Sequence, residues 1–153
     1  MKRDFNLKSI LIIALLFFTY LGTAQTNPKE MAGIFFNDYK KNGASIALDN
    51  LYSTNKWMDR ATDAITNLKS QLEGLNEAYV GKYYGYELIV EKQLAESYVL
   101  LSYLVKYDRQ PIRFTFQFYK PNDIWVIYSF QFDGNIDAEI EEAGKLNYLN
   151  LNN

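Results

Sequence analysis

The 153 residues contain neither Cys nor His. Disulfides, thiolate nucleophiles and imidazole ligands are therefore excluded, and with them Ser-His-Asp catalysis and most zinc sites. Chemistry is left to Asp, Glu, Lys, Arg, Tyr, Ser and Thr. No motif assigns any of these a catalytic role, and the candidates are Asp49, Asp59 and Tyr128. A helix carboxylate withdrawn from water at an apolar mouth suits proton transfer, and a tyrosine hydroxyl facing the helices can donate to a ligand oxygen. Solvated helix faces and a satisfied core tyrosine account for the same residues. Glu87 and Glu91 lie near each other along the first strand as a candidate carboxylate pair, with edge protection as the structural alternative.

Two groupings point to binding instead. Tyr39, Tyr52 and Trp57, with Tyr128, are placed to line the mouth of a pocket between helices and sheet, where aromatic faces and a few polar groups hold an apolar ligand. Core or rim packing is the alternative. Arg113, Thr115, Gln117 and Tyr119 on one strand, with Trp125, Ile127, Ser129 and Gln131 on the next, form a mixed aromatic and polar face. That mixture suits an association surface, either for a homodimer or for a partner protein. A solvated face partly covered by residues 146–151 would also explain it. Asp108 and Arg109, in the turn before, read as solvated. The sequence has no glycine-rich phosphate loop and no clustered metal ligands, so no cofactor and no metal is implied.

These side chains must be positioned by helices first and strands second. Asn27-Pro28-Lys29-Glu30 is a helix start, with Asn as cap, Pro at the first position and Glu three residues after the cap. Met31, Ile34, Phe35 and Tyr39 follow on one stripe, and Lys40-Lys41-Asn42-Gly43 ends the helix. Ala44 to about Tyr52 reads as a second helix with Ile46, Ala47, Leu51 and Leu48 inward. Ser53-Thr54-Asn55 caps a third, where Trp57, Ala61, Ile65, Leu68 and Leu72 recur at helical steps as far as Gly74.

From Tyr84 the apolar period changes to two, predicting strands at roughly 84–92, 95–107, 111–120 and 123–133. The second is apolar on both faces, as a central strand would be. For the last hairpin, a three-residue loop Pro121-Asn122-Asp123 keeps one apolar face, setting Phe118 opposite Val126, Phe116 opposite Tyr128 and Phe114 opposite Phe130. Ile136–Ala143 reads as a short acidic helix, and Tyr148, Leu149 and Leu151 favour some packing of the tail.

Lys2, Arg3 and Lys8, then the apolar run Ile10–Leu21 and Gly22-Thr23-Ala24, have the three-part pattern of a signal peptide, cleaved between Ala24 and Gln25. Twelve helical residues reach about 18 Å, short of the roughly 30 Å hydrocarbon layer, which argues against a permanent anchor. The expectation is export to the periplasm or beyond, with residues 25–153 as one domain and no membrane association after cleavage. Removing residues 1–24 takes away three of the 16 basic groups and one of the 18 acids, leaving a net charge of -4. An acidic domain without a basic run offers phosphate backbones nothing, so nucleic acid is not an expected partner.

Helices followed by an antiparallel meander give an α+β class. Four segments carry a family resemblance: Phe35-Phe36-Asn37-Asp38-Tyr39-Lys40-Lys41-Asn42-Gly43, Ala47-Leu48-Asp49, Gly81-Lys82-Tyr83-Tyr84-Gly85-Tyr86-Glu87, and Asp123-Ile124-Trp125-Val126-Ile127-Tyr128-Ser129-Phe130. Over roughly 30–133 the chain resembles the nuclear-transport-factor-2-like (SnoaL-like) superfamily, in its branch of small exported bacterial proteins. The resemblance implies N-terminal helices packed on a curved four-stranded antiparallel sheet, cone-like in shape, and frequent dimers through the sheet. Such folds host both isomerases and noncatalytic binding domains, so the resemblance does not choose a function. Acid-base enzymes of that group generally place an Asp or His in the cone, and no carboxylate here can be carried over to that role. The expectation is therefore a noncatalytic exported domain that binds a small apolar ligand or a partner protein. The alternatives are a small isomerase or hydrolase using a pocket Asp and Tyr, and a purely structural envelope protein.

Overall fold

The structure is a computed structural model and describes residues 26–148. The expected leader and its cleavage point lie outside the described residues, as do Leu149 and Leu151. The order is α1 (Pro28–Asn42), α2 (Ala44–Ser53), a 3-10 segment (Lys56–Ala61), α3 (Thr62–Glu73), α4 (Glu77–Val80), β1 (Tyr83–Leu94), β2 (Tyr98–Tyr107), β3 (Ile112–Tyr119), β4 (Val126–Asp133) and α5 (Ile136–Tyr148). The strands form one antiparallel sheet in the order β1-β2-β3-β4. This is the expected α+β class, with helices preceding a four-stranded antiparallel sheet.

The start of α1 follows from its first residues. Asn27 Oδ1 accepts from the Glu30 backbone N–H at 3.0 Å, and Glu30 Oε2 accepts from the Asn27 N–H at 3.2 Å, so two otherwise orphaned donors are satisfied reciprocally. Gly43, at φ +88°, lets α2 begin at once. The inward stripe of α1 is Met31, Ala32, Phe35 and Phe36, while Ile34 is 53% exposed. In α2, Ala44, Ala47, Leu48 and Leu51 are inward, and Ile46, expected inside, is exposed.

Phe35 and Phe36 bind this layer to the sheet. Phe35 lies edge-on to Phe116 and tilted against Phe130, both with centroids 5.1 Å away, and Phe36 stacks on Tyr86 at 3.7 Å and meets Tyr103 edge-on at 5.1 Å. Burial of each such ring stabilises the fold by about 1.5–3 kcal/mol.

The third helix differs from its expected form. Asn55 Oδ1 accepts from Trp57 N–H and opens a 3-10 turn, and the α-helix proper starts only at Thr62. Three residues per turn shift the phase of the stripe, so Trp57 is 62% exposed, with Lys56 and Arg60 over its ring at 5.4 and 5.0 Å. Leu72 alone of α3 is fully buried.

Bulges set the faces of the sheet. In β3–β4, Phe116 pairs with Phe130 and Phe114 with Phe132, two residues away from the expected register but on the same faces. A shift between Gln117 and Phe118 then pairs Phe118 with Ile127, leaving Tyr128 as the extra residue. One extra residue reverses the alternation beyond it. Ile127 is therefore fully buried in the core and Tyr128 is 55% exposed, the reverse of the expected assignment. The connection runs from Lys120 to Trp125 rather than over three residues. In β1 a similar shift between Leu88 and Val90 sends Glu87 and Glu91 to opposite faces. They are no carboxylate pair: Glu87 meets Lys106 at 2.5 Å, and Glu91 meets Lys29 of α1 at 2.6 Å.

β2 is interior, with Val99, Leu101, Tyr103, Val105 and Tyr107 buried toward the helices. Past Gly85, β1 is exposed along its length. The final helix runs five residues beyond its expected end and is tied to the sheet through Arg113, which bonds Asp133 of β4 at 3.0 Å and Glu139 of α5 at 2.6 Å. Burial works against the Arg113 charge, but these two carboxylates outweigh it and raise its pKa. Tyr148 is 88% exposed, so its expected packing is not found.

Candidate functional site

The junction of α2 with β4 shapes a large cleft. β4 is an edge strand, and at Ile127 its outward backbone groups have no strand partner. Thr54 and Asn55, just past α2, take that place: Ile127 N–H donates to Thr54 Oγ1 at 3.2 Å, and Asn55 Nδ2 donates to the Ile127 carbonyl at 2.7 Å. Thr54 Oγ1 donates in turn to the Leu51 carbonyl at 2.7 Å. This stitch holds the β3–β4 connection beside the first turns of α1. Within that connection, Asn122 Oδ1 accepts from Ile124 N–H at 3.2 Å and forms a local turn that presents Ile124 and Trp125.

Between these parts lies a cleft of about 740 Å³. Met31, Ile34 and Phe35 of α1, Leu51 of α2, and Ile124 with Trp125 form its apolar wall. Thr26, Asn50, Thr54 and Asp123 supply its polar groups. Ile34 and Ile124 are 53% and 62% exposed because they face this space instead of the sheet. Trp125 packs partly against the core, with Lys120 Nζ 5.2 Å from its ring centroid.

Four aromatic residues were expected around one mouth, and the structure separates them. Tyr39 lies at the far end of α1, where its hydroxyl meets that of Tyr107 at 2.6 Å, in a cavity of about 390 Å³ that Tyr83 also lines. Burial pushes the Tyr39 and Tyr107 hydroxyls up from their ordinary range, and takes Tyr83 up to about 12. Tyr52 and Tyr128 share a shallow groove with Met58 and Leu68 of the third-helix region. Trp57 stands on the surface under its two cations. The cleft residues Ile34 and Ile124 were missed by sequence reasoning. Neither left a signal, since Ile34 falls on the same apolar stripe as Met31 and Phe35, and Ile124 falls at the start of the last expected strand.

Asp49 and Asp59 share a depression with Tyr52, but both are exposed and Asp49 is ion-paired with Lys69. Neither carboxylate is withdrawn from water as an acid-base role requires, and Tyr128 lies in the adjoining groove rather than beside them.

Of the expected association face, Arg113, Thr115, Gln117, Tyr119, Ser129 and Gln131 do lie away from the helices. Ile127 and Trp125 do not, since the bulge turns one into the core and the long connection carries the other to the cleft. Arg113 is held by carboxylates, and Gln117 accepts from Tyr98 OH at 2.8 Å. Ser102 and its pairing partner Thr115 are buried at the centre of this face, and the Ser102 hydroxyl has no partner among the described residues.

Asp108 and Arg109 are exposed, as expected, and they also tie the start of β1 in place. Asp108 accepts from Tyr84 OH at 2.7 Å and from Lys82 N–H at 2.6 Å, and these bonds hold its carboxyl below the usual range. Arg109 N–H donates to the Val80 carbonyl at 3.0 Å. Among the described residues no group of three or more acidic side chains is placed to hold a metal ion, and no helix is long and apolar enough to cross a membrane.

No family model, curated protein or solved structure matches the chain.

Proposed function

We propose that this protein is an exported, noncatalytic binding domain that takes a small apolar ligand in the cleft between α1, the end of α2 and the β3–β4 connection. The observation that carries this reading is the cleft itself: about 740 Å³, inside the roughly 300–1,000 Å³ range of small-molecule sites, with a largely apolar wall and a few polar groups. Ile34 and Ile124 support it further, because two large aliphatic side chains left in water cost solvation unless something covers them. The exported part of the reading rests on the pattern of residues 1–24. The element order is compatible with the cone-like arrangement that the nuclear-transport-factor-2-like resemblance implies, in which the cleft would sit at one end of the helical layer.

A noncatalytic role is favoured because Asp123 is the single carboxylate in the described lining and has no acid-base partner there. The test uses the neutral dye N-phenyl-1-naphthylamine, whose fluorescence rises in apolar sites. The purified protein should bind it, and the Trp57→Phe variant should report the event through Trp125. Ile34→Gln combined with Ile124→Ser, both at exposed positions, should weaken binding on the order of tenfold without lowering stability. Dye binding unchanged by that double substitution, or absent from the wild-type protein, overturns the assignment.

A further inference from the structure

Of the cleft's four polar residues, Asn50, Thr54 and Asp123 each keep acceptor capacity, and no cation lines the space. Asn50 is anchored through its amide nitrogen, which donates to Asp38 Oδ2 at 2.8 Å; its backbone carbonyl accepts from Ser53 Oγ at 2.7 Å, while its side-chain Oδ1 accepts no hydrogen bond among the described residues. Thr54 has committed its hydroxyl proton to the Leu51 carbonyl. What it can still offer is lone-pair density on Oγ1, already shared with Ile127 N–H. Asp123 brings a carboxylate, whose oxygens accept. Behind Asn50, Asp38 adds a second negative charge and holds the amides of both Asn42 and Asn50. Lys120, in the same connection, is drawn over the Trp125 ring and does not line the cleft.

Building on the reading of the cleft as a ligand site, we infer that its ligands are small apolar molecules ending in a hydrogen-bond donor that carries positive charge, that is, apolar primary amines in their ammonium form. The apolar body lies against Ile34, Met31, Leu51 and Ile124. The ammonium meets Asp123 and Asn50 Oδ1. A carboxylate-ended ligand of the same length would set like charge against Asp123 and meet no cation in the lining, so it is selected against.

Octylammonium, octan-1-ol and octanoate share one chain, stay monomeric in the working range, and differ in the end group alone. Each is titrated against the protein loaded with N-phenyl-1-naphthylamine at pH 7 and low salt. The expected order of displacement is amine, then alcohol, then carboxylate, with a full span of about fivefold, the upper size of one partly exposed charge contact. Asp123→Asn, at an exposed loop position, should bring all three within about twofold of one another. Raised salt should shrink the wild-type span in the same way. Equal displacement by all three, or a carboxylate preference, overturns the amine assignment while leaving the apolar site standing. If the dye itself does not bind, the site reading fails first.

Discussion

An added Cβ at Gly81 would come 2.4 Å from Asp108 Cβ, and the backbone there has φ +84°, so both space and conformation demand glycine. Gly43 has a similar φ of +88° but open space around it. The pair separates two causes that one substitution would confuse. Gly43→Ala should cost about 1 kcal/mol from backbone conformation alone. Gly81→Ala should cost about 2–4 kcal/mol, because Asp108 must move and gives up its bonds from Lys82 N–H and Tyr84 OH. Urea unfolding of both variants checks this, and equal losses would mean that Asp108 yields without cost. Asp108 also shows how a residue that reads as a solvated turn acid can serve a structural role. Its partners lie 24 and 26 positions away, a distance over which no local pattern speaks.

Among the elements, β4 depends on the two residues after α2. Thr54→Val leaves the buried Ile127 N–H without its acceptor, and Asn55→Ala leaves the Ile127 carbonyl without its donor. Each should lower stability by about 1–2 kcal/mol, and the double variant by less than the sum, since both act on one residue. Hydrogen exchange separates them: the Ile127 amide should exchange faster in Thr54→Val and stay protected in Asn55→Ala. Unchanged exchange in the first variant would show that the bond does not hold the strand. The start of α1 was fully legible, because a capping box is written within four consecutive residues and needs nothing else. The β3–β4 faces were legible as far as Phe116 and Phe130, where alternation is unbroken. They were lost at Tyr128, since a bulge leaves no mark in the apolar pattern. Ile34 and Ile46 were misplaced for a related reason: periodicity shows that a residue is apolar but not whether it faces sheet or cleft. The cleft had no signal of its own until the connection from Lys120 to Trp125 was seen folded back over α1.

At the scale of the molecule, rings from α1, β1, β2, β3 and β4 form one connected network, with Tyr39, Tyr83, Tyr103 and Tyr107 along it. Burial first, and neighbouring tyrosines second, push Tyr83 and Tyr103 up to about 12, and Tyr107 rises further. In the unfolded chain these hydroxyls ionise near pH 10. The native state therefore keeps protons that the unfolded state releases, and the stabilisation is complete below about pH 10 and is lost as pH rises toward 12. The urea midpoint should stay level up to about pH 9.5 and then fall. Tyrosinate absorbance at 295 nm should include a step that coincides with loss of structure. A gradual titration near pH 10 with structure retained would contradict it.

The bulge near Ile89 reaches beyond the fate of two glutamates. β1 is an edge strand with Leu88, Ile89, Val90 and Leu94 at the surface, the kind of edge on which a sheet can keep growing by recruiting further strands. An incoming strand of unbroken alternation that matches β1 from Val90 to Leu94 would be out of phase from Leu88 back to Gly85, with its apolar side turned to the wrong face. The defect thus acts as a length limit on templating. A visitor can lie down in register for about five residues and no more, so an edge that looks adhesive in composition is kept from seeding its own extension.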